Sequence, residues 1–226
     1  MSALPVLVIR PEPGNAATVA AARAMGLAAH GFPLFAVESV AWAAPDAAAY
    51  DGLLAGSANA FRHGGAALER LRALPVHAVG ETTAQAAREA GFTVVTVGTG
   101  GLQVLLSAVR DGHYLRLAGE ERVELAPPPG VTIDTQVVYA SRPQAMPGAL
   151  RTMLAAPALV LVHSGEAARH LACECDRGGI ARNAIALACL GPRIAELAGS
   201  GWKSVGISSA SNDPALLALA RQMCQN

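Results

Sequence analysis

The chain contains the same pattern of apolar and polar segments twice, and this duplication limits the possible folds more than any other feature. The first copy lies within residues 51–106 and the second within residues 158–219. In each copy one apolar run ends in a serine, a second ends in a glycine, and a helix-like stretch and a third apolar run follow. The equivalent residues are Ser57 and Gly80 in the first copy and Ser164 and Gly191 in the second. Repetition over this length is typical of duplicated α/β units, so we predict two similar α/β domains with a ligand cleft between them.

Short apolar runs of strand length alternate with helical patterns, which predicts parallel β-sheets covered by helices. The predicted strands cover residues 6–10, 27–32, 52–56, 76–80, 93–97, 114–118, 158–163, 186–191 and 204–208. Two more extended stretches, at 34–40 and 136–141, fit neither copy of the repeat. We predict that residues 1–33 and 142–226 form one domain, that residues 41–135 form the other, and that the two stretches pair as crossing strands.

Residues with known capping preferences indicate where several helices begin. Asn15 is predicted to cap the first helix, because an asparagine side chain accepts hydrogen bonds from free backbone N–H groups. Thr82, followed by Gln85, matches a capping box at the start of another helix. Pro192 is expected at the first position of a later helix, which ends near Gly199.

Charge and hydropathy argue against nucleic-acid and membrane partners. Lys plus Arg and Asp plus Glu both number 17, and no long basic stripe is present, so no nucleic-acid surface is predicted. No uncharged stretch is long enough to span a membrane, and the first apolar run stops at Arg10, too early for an export signal. We therefore predict a cytoplasmic protein. Hydrophobic residues make up 52% of the chain, which is enough for a substantial buried core.

The cysteines all lie in the second half of the chain, and in a reducing compartment they are expected to be ordinary thiols. His170, Cys173 and Cys175 together suggest a metal ligand set. On the predicted helix, however, His170 and Cys173 share a face while Cys175 points elsewhere. We therefore predict no metal site.

Motifs for hydrolysis and for phosphate binding are not matched. Neither Ser57, in AGSAN, nor Ser164, in VHSGE, lies in the Gly-x-Ser-x-Gly motif of a hydrolase. His163 and Ser164 are neighbours at a strand end, so their side chains point to opposite faces. The GTGG segment at 98–101 lacks the Gly-Lys-Ser/Thr of a phosphate-binding loop, and we interpret it as a flexible turn.

The repeats do provide strand ends that lead into helix N-termini. These ends lie at Arg10, Ser57, Gly80, residues 118–119, Ser164 and Gly191. Backbone N–H groups at a helix N-terminus are free and carry partial positive charge, so they bind anions without many basic side chains. If both domains turn these ends toward one cleft, the ligand is a large polyanion. The alternative is that Ser57, Thr82 and Ser164 only cap helices.

Seven segments follow one another in an order that covers almost the whole chain. They are VLVIRPEPGNAATVAAARAMG, GFPLFAVESV, SANAFR, VHAVGETTAQAAREAGF, LRLAGEER, VVYAS and CLGPRIAELAGSGW. In content and spacing they resemble the strand ends, helix starts and crossing strands of the uroporphyrinogen-III synthase family.

The resemblance implies a substrate, hydroxymethylbilane, which is a linear tetrapyrrole with many carboxylates. The enzyme would remove its hydroxyl as water, invert the terminal D ring through a spiro intermediate and close the macrocycle as uroporphyrinogen III, without a cofactor. The carboxylates agree with the anion-binding strand ends. Because the free substrate closes without inversion, holding one conformation is a large part of the task. A transient contact with the enzyme that makes the substrate is left open.

Tyr139 matches the family's recurrent tyrosine and is the predicted catalytic residue. A phenol is neutral at pH 7 and can donate a proton to the departing hydroxyl. The alternative is a tyrosine that only packs in the crossing strand. The resemblance and the strand-end argument together give a set of residues expected to bind substrate carboxylates through side chains or backbone N–H groups. These are Arg10, Ser57, Gly80, Thr83, Ser164, Gly165, Gly191 and Arg193.

The sequence also departs from the family pattern. Ile194 occupies the position of a family threonine, and residues 122–131 form a shorter stretch than the family's helix, broken by Pro127 to Pro129. Two alternatives therefore stay open. One is a diverged, inactive family member that binds a tetrapyrrole or serves as an interaction module. The other is a two-lobed small-ligand binding protein of the periplasmic type.

Overall fold

The computed structural model describes residues 4–225 and confirms the predicted α/β class. The strands are β1 (Val6–Val8), β2 (Ala29–Gly31), β3 (Phe35–Ser39), β4 (Gly52–Ala55), β5 (Val76–Val79), β6 (Val94–Gly98), β7 (Gly112–Gly119), β8 (Val131–Pro143), β9 (Ala158–Val162), β10 (Ile185–Cys189) and β11 (Ser204–Ile207). The α-helices are α1 (Gly14–Ala24), α2 (Asn59–His63), α3 (Glu81–Glu89), α4 (Leu102–Leu105), α5 (Gly148–Leu154), α6 (Gly165–Gly178), α7 (Pro192–Ala198) and α8 (Asp213–Gln225). Short 3-10 helices cover Ala47–Ala49, Ala66–Leu71, Leu106–Ala108 and Arg182–Ala184. Each predicted strand overlaps an observed one.

Two β-sheets organise these elements. A five-stranded sheet has the order β11-β10-β9-β1-β2, and its neighbouring strands are parallel. A six-stranded sheet has the order β3-β8-β7-β4-β5-β6, and its strands from β8 to β6 are parallel. β3 runs antiparallel to β8, because Gln144 N donates to Leu34 O and Val40 N donates to Val138 O. The two stretches that fit neither repeat are thus neighbouring strands.

The chain divides into two compact units. Unit 1 comprises the residues up to Ala36 together with those from Pro143 onward, and it contains the five-stranded sheet. Unit 2 comprises Val37–Arg142 and contains most of the six-stranded sheet. The domain boundaries expected from the sequence, with 34–40 and 136–141 as links, stay a prediction.

Both faces of the sheet in unit 1 are buried under helices, as is usual for a parallel sheet. On β9, Val160 and Val162 belong to the core formed with α5, α6 and α7, whereas Leu159 and Leu161 belong to the core formed with α1 and α8. Each of these side chains is fully buried, and such burial contributes about 1.5–3 kcal/mol per residue. Burial on both faces explains why this strand is one continuous apolar run in the sequence.

In unit 2, the central strand β7 also carries side chains to two faces. Leu115 and Leu117 pack with residues of α2 and α3, whereas Tyr114 packs on the opposite face with Leu105 of α4. Residues 120–130 connect β7 to β8 without a helix, as the prolines in this stretch predict. The alternation along β7 decides which of its side chains reach the site described below.

The predicted cap at Asn15 was wrong. Helix α1 already begins at Gly14, and a backbone N–H of its first turn donates to the side chain of Glu12, not to that of Asn15. Asn15 is buried in the first turn, where its amide donates to Val8 O at 2.8 Å and to Arg10 O at 3.0 Å. Both carbonyls lie at the end of β1, so the side chain ties the strand end to the helix instead of capping it.

The capping box at Thr82 was also wrong, whereas the helix start at Pro192 is confirmed. Helix α3 follows directly after Gly80, whose φ of 76° lies in the region that glycine adopts at little cost. The turn at glycine starts the helix earlier than the capping motif does, so Thr82 lies inside it and Gln85 donates to Glu89. Pro192 opens α7, as predicted.

Candidate active site

A cavity of about 460 Å³ lies at the carboxyl ends of β4 and β7 in unit 2. Because β4, β7 and β8 are parallel, the residues that end β4 and β7 and those near Tyr139 of β8 share one edge of the sheet. The lining includes several polar and charged residues, namely Ser57, Gln103, Arg116, Glu121, Arg122 and Tyr139. The cavity therefore brings together two residues predicted from the sequence, Tyr139 and Ser57, with two arginines that were not.

The position of Tyr139 depends on a glycine in the neighbouring strand. A register shift between Ala118 and Gly119 places Gly119 opposite Tyr139, and Glu120 N donates to Tyr139 O at 2.9 Å. A Cβ on Gly119 would lie 2.8 Å from Cζ and 3.0 Å from Oη of the tyrosine. Only glycine leaves room for the ring, and Tyr139 is half-buried and lines the cavity.

Ser57 follows β4 and lies at the start of α2. Its hydroxyl accepts a hydrogen bond from Asn59 N at 3.2 Å, so it stabilises the turn into the helix. The hydroxyl proton is not used in that bond, since the oxygen is the acceptor. Ser57 can therefore hold the turn and also donate to a ligand in the cavity.

Arg116 is the main feature of the cavity that the sequence reasoning missed. The residue is only 8% exposed, and its Nη1 donates to Val123 O at 2.9 Å. Its Nε is buried without a hydrogen-bond partner among residues 4–225. The pKa of Arg116 is lowered, first by burial and then by the positive charge of Arg122. The sequence did contain a signal for Arg116, since it lies within the predicted strand 114–118. A charged residue inside a buried strand needs a partner, and the strand itself does not supply one.

In unit 1, the equivalent strand end carries an arginine that is paired. Nη1 of Arg10 lies 3.1 Å from both carboxylate oxygens of Asp213 at the start of α8. Thr18 donates to the same carboxylate at 2.6 Å, and Nε2 of His163 lies 3.4 Å from it. His163, Thr18 and Arg10 together hold the pKa of Asp213 well below its usual range, although burial acts in the opposite direction. Arg10 as a substrate ligand stays a prediction.

Ser164 is the N-cap of α6, where its hydroxyl accepts from Ala167 N at 3.2 Å. Gly165 opens the helix, and an added side chain there would overlap Leu197. As at Ser57, the hydroxyl proton of Ser164 is left to donate elsewhere. The capping interpretation is thus correct for Ser164, and it leaves the binding interpretation open.

The other predicted ligands do not line the cavity. Thr83 is buried in the first turn of α3, with 4% of its surface exposed, and Gly80 precedes that helix. In unit 1, Gly191 precedes α7, and Arg193 is an exposed residue of its first turn. The predicted binding residues therefore remain distributed over several strand ends, and their common role stays a prediction.

The part of the chain that the structure describes holds no group of three or more His, Cys, Asp or Glu side chains placed to bind a metal ion. His170 contacts Gln144 O at 2.7 Å through Nε2, while Cys173 is exposed and Cys175 is buried. Burial raises the pKa of Cys175 to about 11, so its thiol is protonated at neutral pH. Among residues 4–225, no helix is long and apolar enough to cross a membrane.

Comparison with known proteins decides the family. Residues 16–218 match the family model described as uroporphyrinogen-III synthase HemD. The chain belongs to the uroporphyrinogen-III synthase family. The protein is accordingly a cyclising lyase of tetrapyrrole biosynthesis that acts on a small-molecule substrate, and the resemblance found in the sequence is confirmed.

Solved structures show the same fold. The chain is similar to a uroporphyrinogen-III synthetase from Helicobacter pylori, with a TM-score of 0.67, 15% identity, and coverage of 97% of this chain and 99% of that one. It is also similar to a mutant uroporphyrinogen III synthase from the extremely thermophilic bacterium Thermus thermophilus, with a TM-score of 0.50, 18% identity, and coverage of 99% and 100%. A comparison with curated proteins found no match.

Proposed function

We propose that the cavity of unit 2 takes part in the conversion of hydroxymethylbilane to uroporphyrinogen III, with Tyr139 as the proton donor. The observation that carries this proposal is the position of Tyr139, which lines a cavity of about 460 Å³ at the edge where β4 and β7 end. Polar side chains beside it, Ser57 and Arg116, are suited to a substrate with many carboxylates.

The first chemical step needs an acid, because hydroxide is a poor leaving group. The Tyr139 hydroxyl donates its proton to the departing oxygen, the C–O bond breaks, and water leaves. The D ring attacks the carbon cation that remains and forms the spiro intermediate, which rearranges to the inverted ring. Macrocycle closure releases a proton from the pyrrole carbon, and this proton restores the phenol. The step therefore balances without an added oxidant, reductant or cofactor.

The remaining predicted residues are proposed to bind carboxylates of the same substrate. Ser57 and Ser164 each accept from a backbone N–H and keep a hydroxyl proton to donate, which supports a binding role. Thr83 and the backbone N–H groups that follow Gly80 and Gly191 are proposed as further donors. The remaining proposed ligands are Arg10, Gly165 and Arg193.

The proposed function is tested by product analysis. Purified protein is incubated with hydroxymethylbilane, in chelator and without nucleotide, and the type I and type III isomers are separated. We expect mainly the type III isomer, whereas the reaction without protein gives the type I isomer. A product mixture equal to that control would favour an inactive family member or a two-lobed binding protein.

Two finer expectations belong to this proposal. We propose that the protein works in the cytoplasm and contacts the enzyme that makes its substrate, because hydroxymethylbilane closes spontaneously once it is free. Mixing the two enzymes and measuring the fraction of type I product tests the contact. A fraction that does not change when an excess of the Tyr139→Phe variant, whose kcat is expected to be much lower, is added would argue against direct transfer.

A further inference from the structure

Arg116 is a buried cation whose acidic partner is missing from the described chain. The ion pairs among residues 4–225 do not include Arg116. Its protein contact is one hydrogen bond from Nη1 to Val123 O at 2.9 Å, and its Nε is buried without a partner. A guanidinium removed from water without an anion and with an unmade hydrogen bond destabilises the fold. An anion from outside the chain would remove both costs.

A second guanidinium lies at the same cavity. Arg122 lines it together with Arg116, and Nη1 of Arg122 contacts backbone carbonyls, those of Glu120 at 2.9 Å and Gly119 at 3.5 Å. Both arginines also line a neighbouring cavity of about 290 Å³, so the segment that begins at Arg122 covers the Arg116 side chain. Two positive charges at one cavity repel each other, and a carboxylate placed near both would be attracted to each.

We propose that Arg116, assisted by Arg122, binds one carboxylate of the substrate in the cavity beside Tyr139. The planar guanidinium matches a carboxylate with parallel N–H···O bonds, and burial strengthens such bonds. This inference rests on the reaction given above and adds a binding residue to it. Capture of a carboxylate beside Tyr139 orients the substrate toward the phenol, which is the conformational control that this reaction needs.

Glu121 is the internal competitor for the same role. It lines the cavity with Arg116 and could neutralise the site without substrate, whereas Glu124 lines the neighbouring cavity. Its neighbour Glu120 is already paired with Arg142 at 2.6 Å. The experiment must therefore separate a substrate carboxylate from the carboxylate of Glu121.

The test compares Arg116→Met with Arg116→Lys and with Arg70→Met, an exposed arginine of the same unit that is outside the cavity. Formation of the type III isomer is measured against hydroxymethylbilane concentration. We expect Arg116→Met to raise KM about 10- to 100-fold, the loss typical of a hydrogen bond to a charged group, with a smaller change in kcat. Arg116→Lys keeps the charge but loses the planar guanidinium, so its KM should lie between that of the parent and that of Arg116→Met. Arg70→Met should match the parent.

Stability without substrate separates binding from a structural role. A ligand-binding Arg116 predicts that Arg116→Met unfolds at the same temperature as the parent or at a higher one. A KM equal to the parent's in a folded Arg116→Met variant overturns the proposal. If the Arg116→Met variant does not fold, the KM of Arg116→Lys is used instead, and a KM equal to the parent's overturns the proposal. Loss of stability in Glu121→Gln, with parent KM in the Arg116 variants, identifies Glu121 as the partner and also overturns it.

Failure of the reaction itself gives a different result. If the parent protein makes only the type I isomer, the proposed function fails. Direct binding of the purified type I macrocycle, which carries the same carboxylates, then still tests Arg116. Weaker binding by Arg116→Met than by Arg70→Met supports the carboxylate site, and equal binding overturns it.

Discussion

Arg10 in unit 1 and Arg116 in unit 2 both lie near the carboxyl ends of parallel strands, yet their charges are balanced differently. Arg10 is about one-third exposed and contacts both oxygens of Asp213. Arg116 is almost fully buried and has no acidic partner in the described chain. The comparison teaches that arginines near strand ends of the two units can have their charge balanced within the chain, as at Arg10, or left without an acidic partner in the described residues, as at Arg116. The experiments below break or sharpen this contrast.

The largest effect is expected at the reacting group of unit 2. Tyr139→Phe removes only the hydroxyl, and we expect kcat to fall about 10- to 100-fold or more, because general acids contribute at that scale or above. Tyr50→Phe is the matched control, since its hydroxyl donates to Asp134 outside the cavity. The rate of type III isomer formation is measured for both variants. Circular dichroism spectra equal to the parent's show that the variants are folded. Equal rates for Tyr139→Phe and the control would leave Tyr139 as a packing residue.

The two arginines should affect stability with opposite signs. Arg116→Met removes a buried charge, and we expect the free energy of unfolding without substrate to rise by about 1 kcal/mol, after the lost bond to Val123 is subtracted. Arg10→Met removes a paired and partly exposed charge, so we expect a loss of about 1 kcal/mol or less. Urea unfolding at neutral pH measures both. Destabilisation of similar size in the two variants would show that Arg116 stabilises the fold without substrate as much as the paired Arg10 does.

Acid should weaken the paired cluster of unit 1. The fold holds the pKa of Asp213 below that of an unfolded aspartate, about 3.9, so its carboxylate stabilises the protein at neutral pH. That stabilisation is lost as the pH falls from about 5 through the folded-state pKa. The difference in unfolding free energy between the parent and Asp213→Asn is expected to be about 1 kcal/mol at pH 7, because the pair is partly exposed, and smaller at about pH 3.5. A difference that does not vary with pH would contradict the assignment.

The smallest effect on the reaction is expected where the two repeats differ at a helix start. Thr83 has a hydroxyl in the first turn of α3, whereas Ile194 of α7 has none. Thr83→Val should therefore raise KM more than Ile194→Val does, by about tenfold, the lower end of the range for a hydrogen bond to a charged group. The Michaelis constants of both variants are compared with the parent's. If both equal the parent's, the buried Thr83 hydroxyl has no part in carboxylate binding.

Local pattern predicted the strands, but not the contacts that join distant segments. Continuous apolar runs such as Ala158–Val162 report burial on both faces directly, whereas Tyr139 was selected through the family resemblance and its catalytic role stays a prediction. The pair between Arg10 and Asp213 spans 203 positions, and no periodicity links them. Asn15 failed as a cap because the helix begins one residue before it, so its side chain lies in the first turn and donates to the end of β1. The sequence does show that Arg116 places a charge in a strand predicted to be buried. A binding role for Arg116 could be proposed only from the structure, which shows that the residue lines a cavity.

The order of strands in unit 1 also governs how the protein is made. β1 lies between β2 and β9, so its partner on one side is synthesised only after the whole of unit 2. The ribosome therefore releases the strands of Val37–Arg142 while the first strand still exposes one unpaired edge. Since domains fold as units during synthesis, unit 2 can become native first and unit 1 can close only when β9 emerges. A nascent chain stalled far enough beyond Pro143 for all of unit 2 to have left the ribosome, but before β9 emerges, would then resist protease across unit 2 and be cut within the first helix.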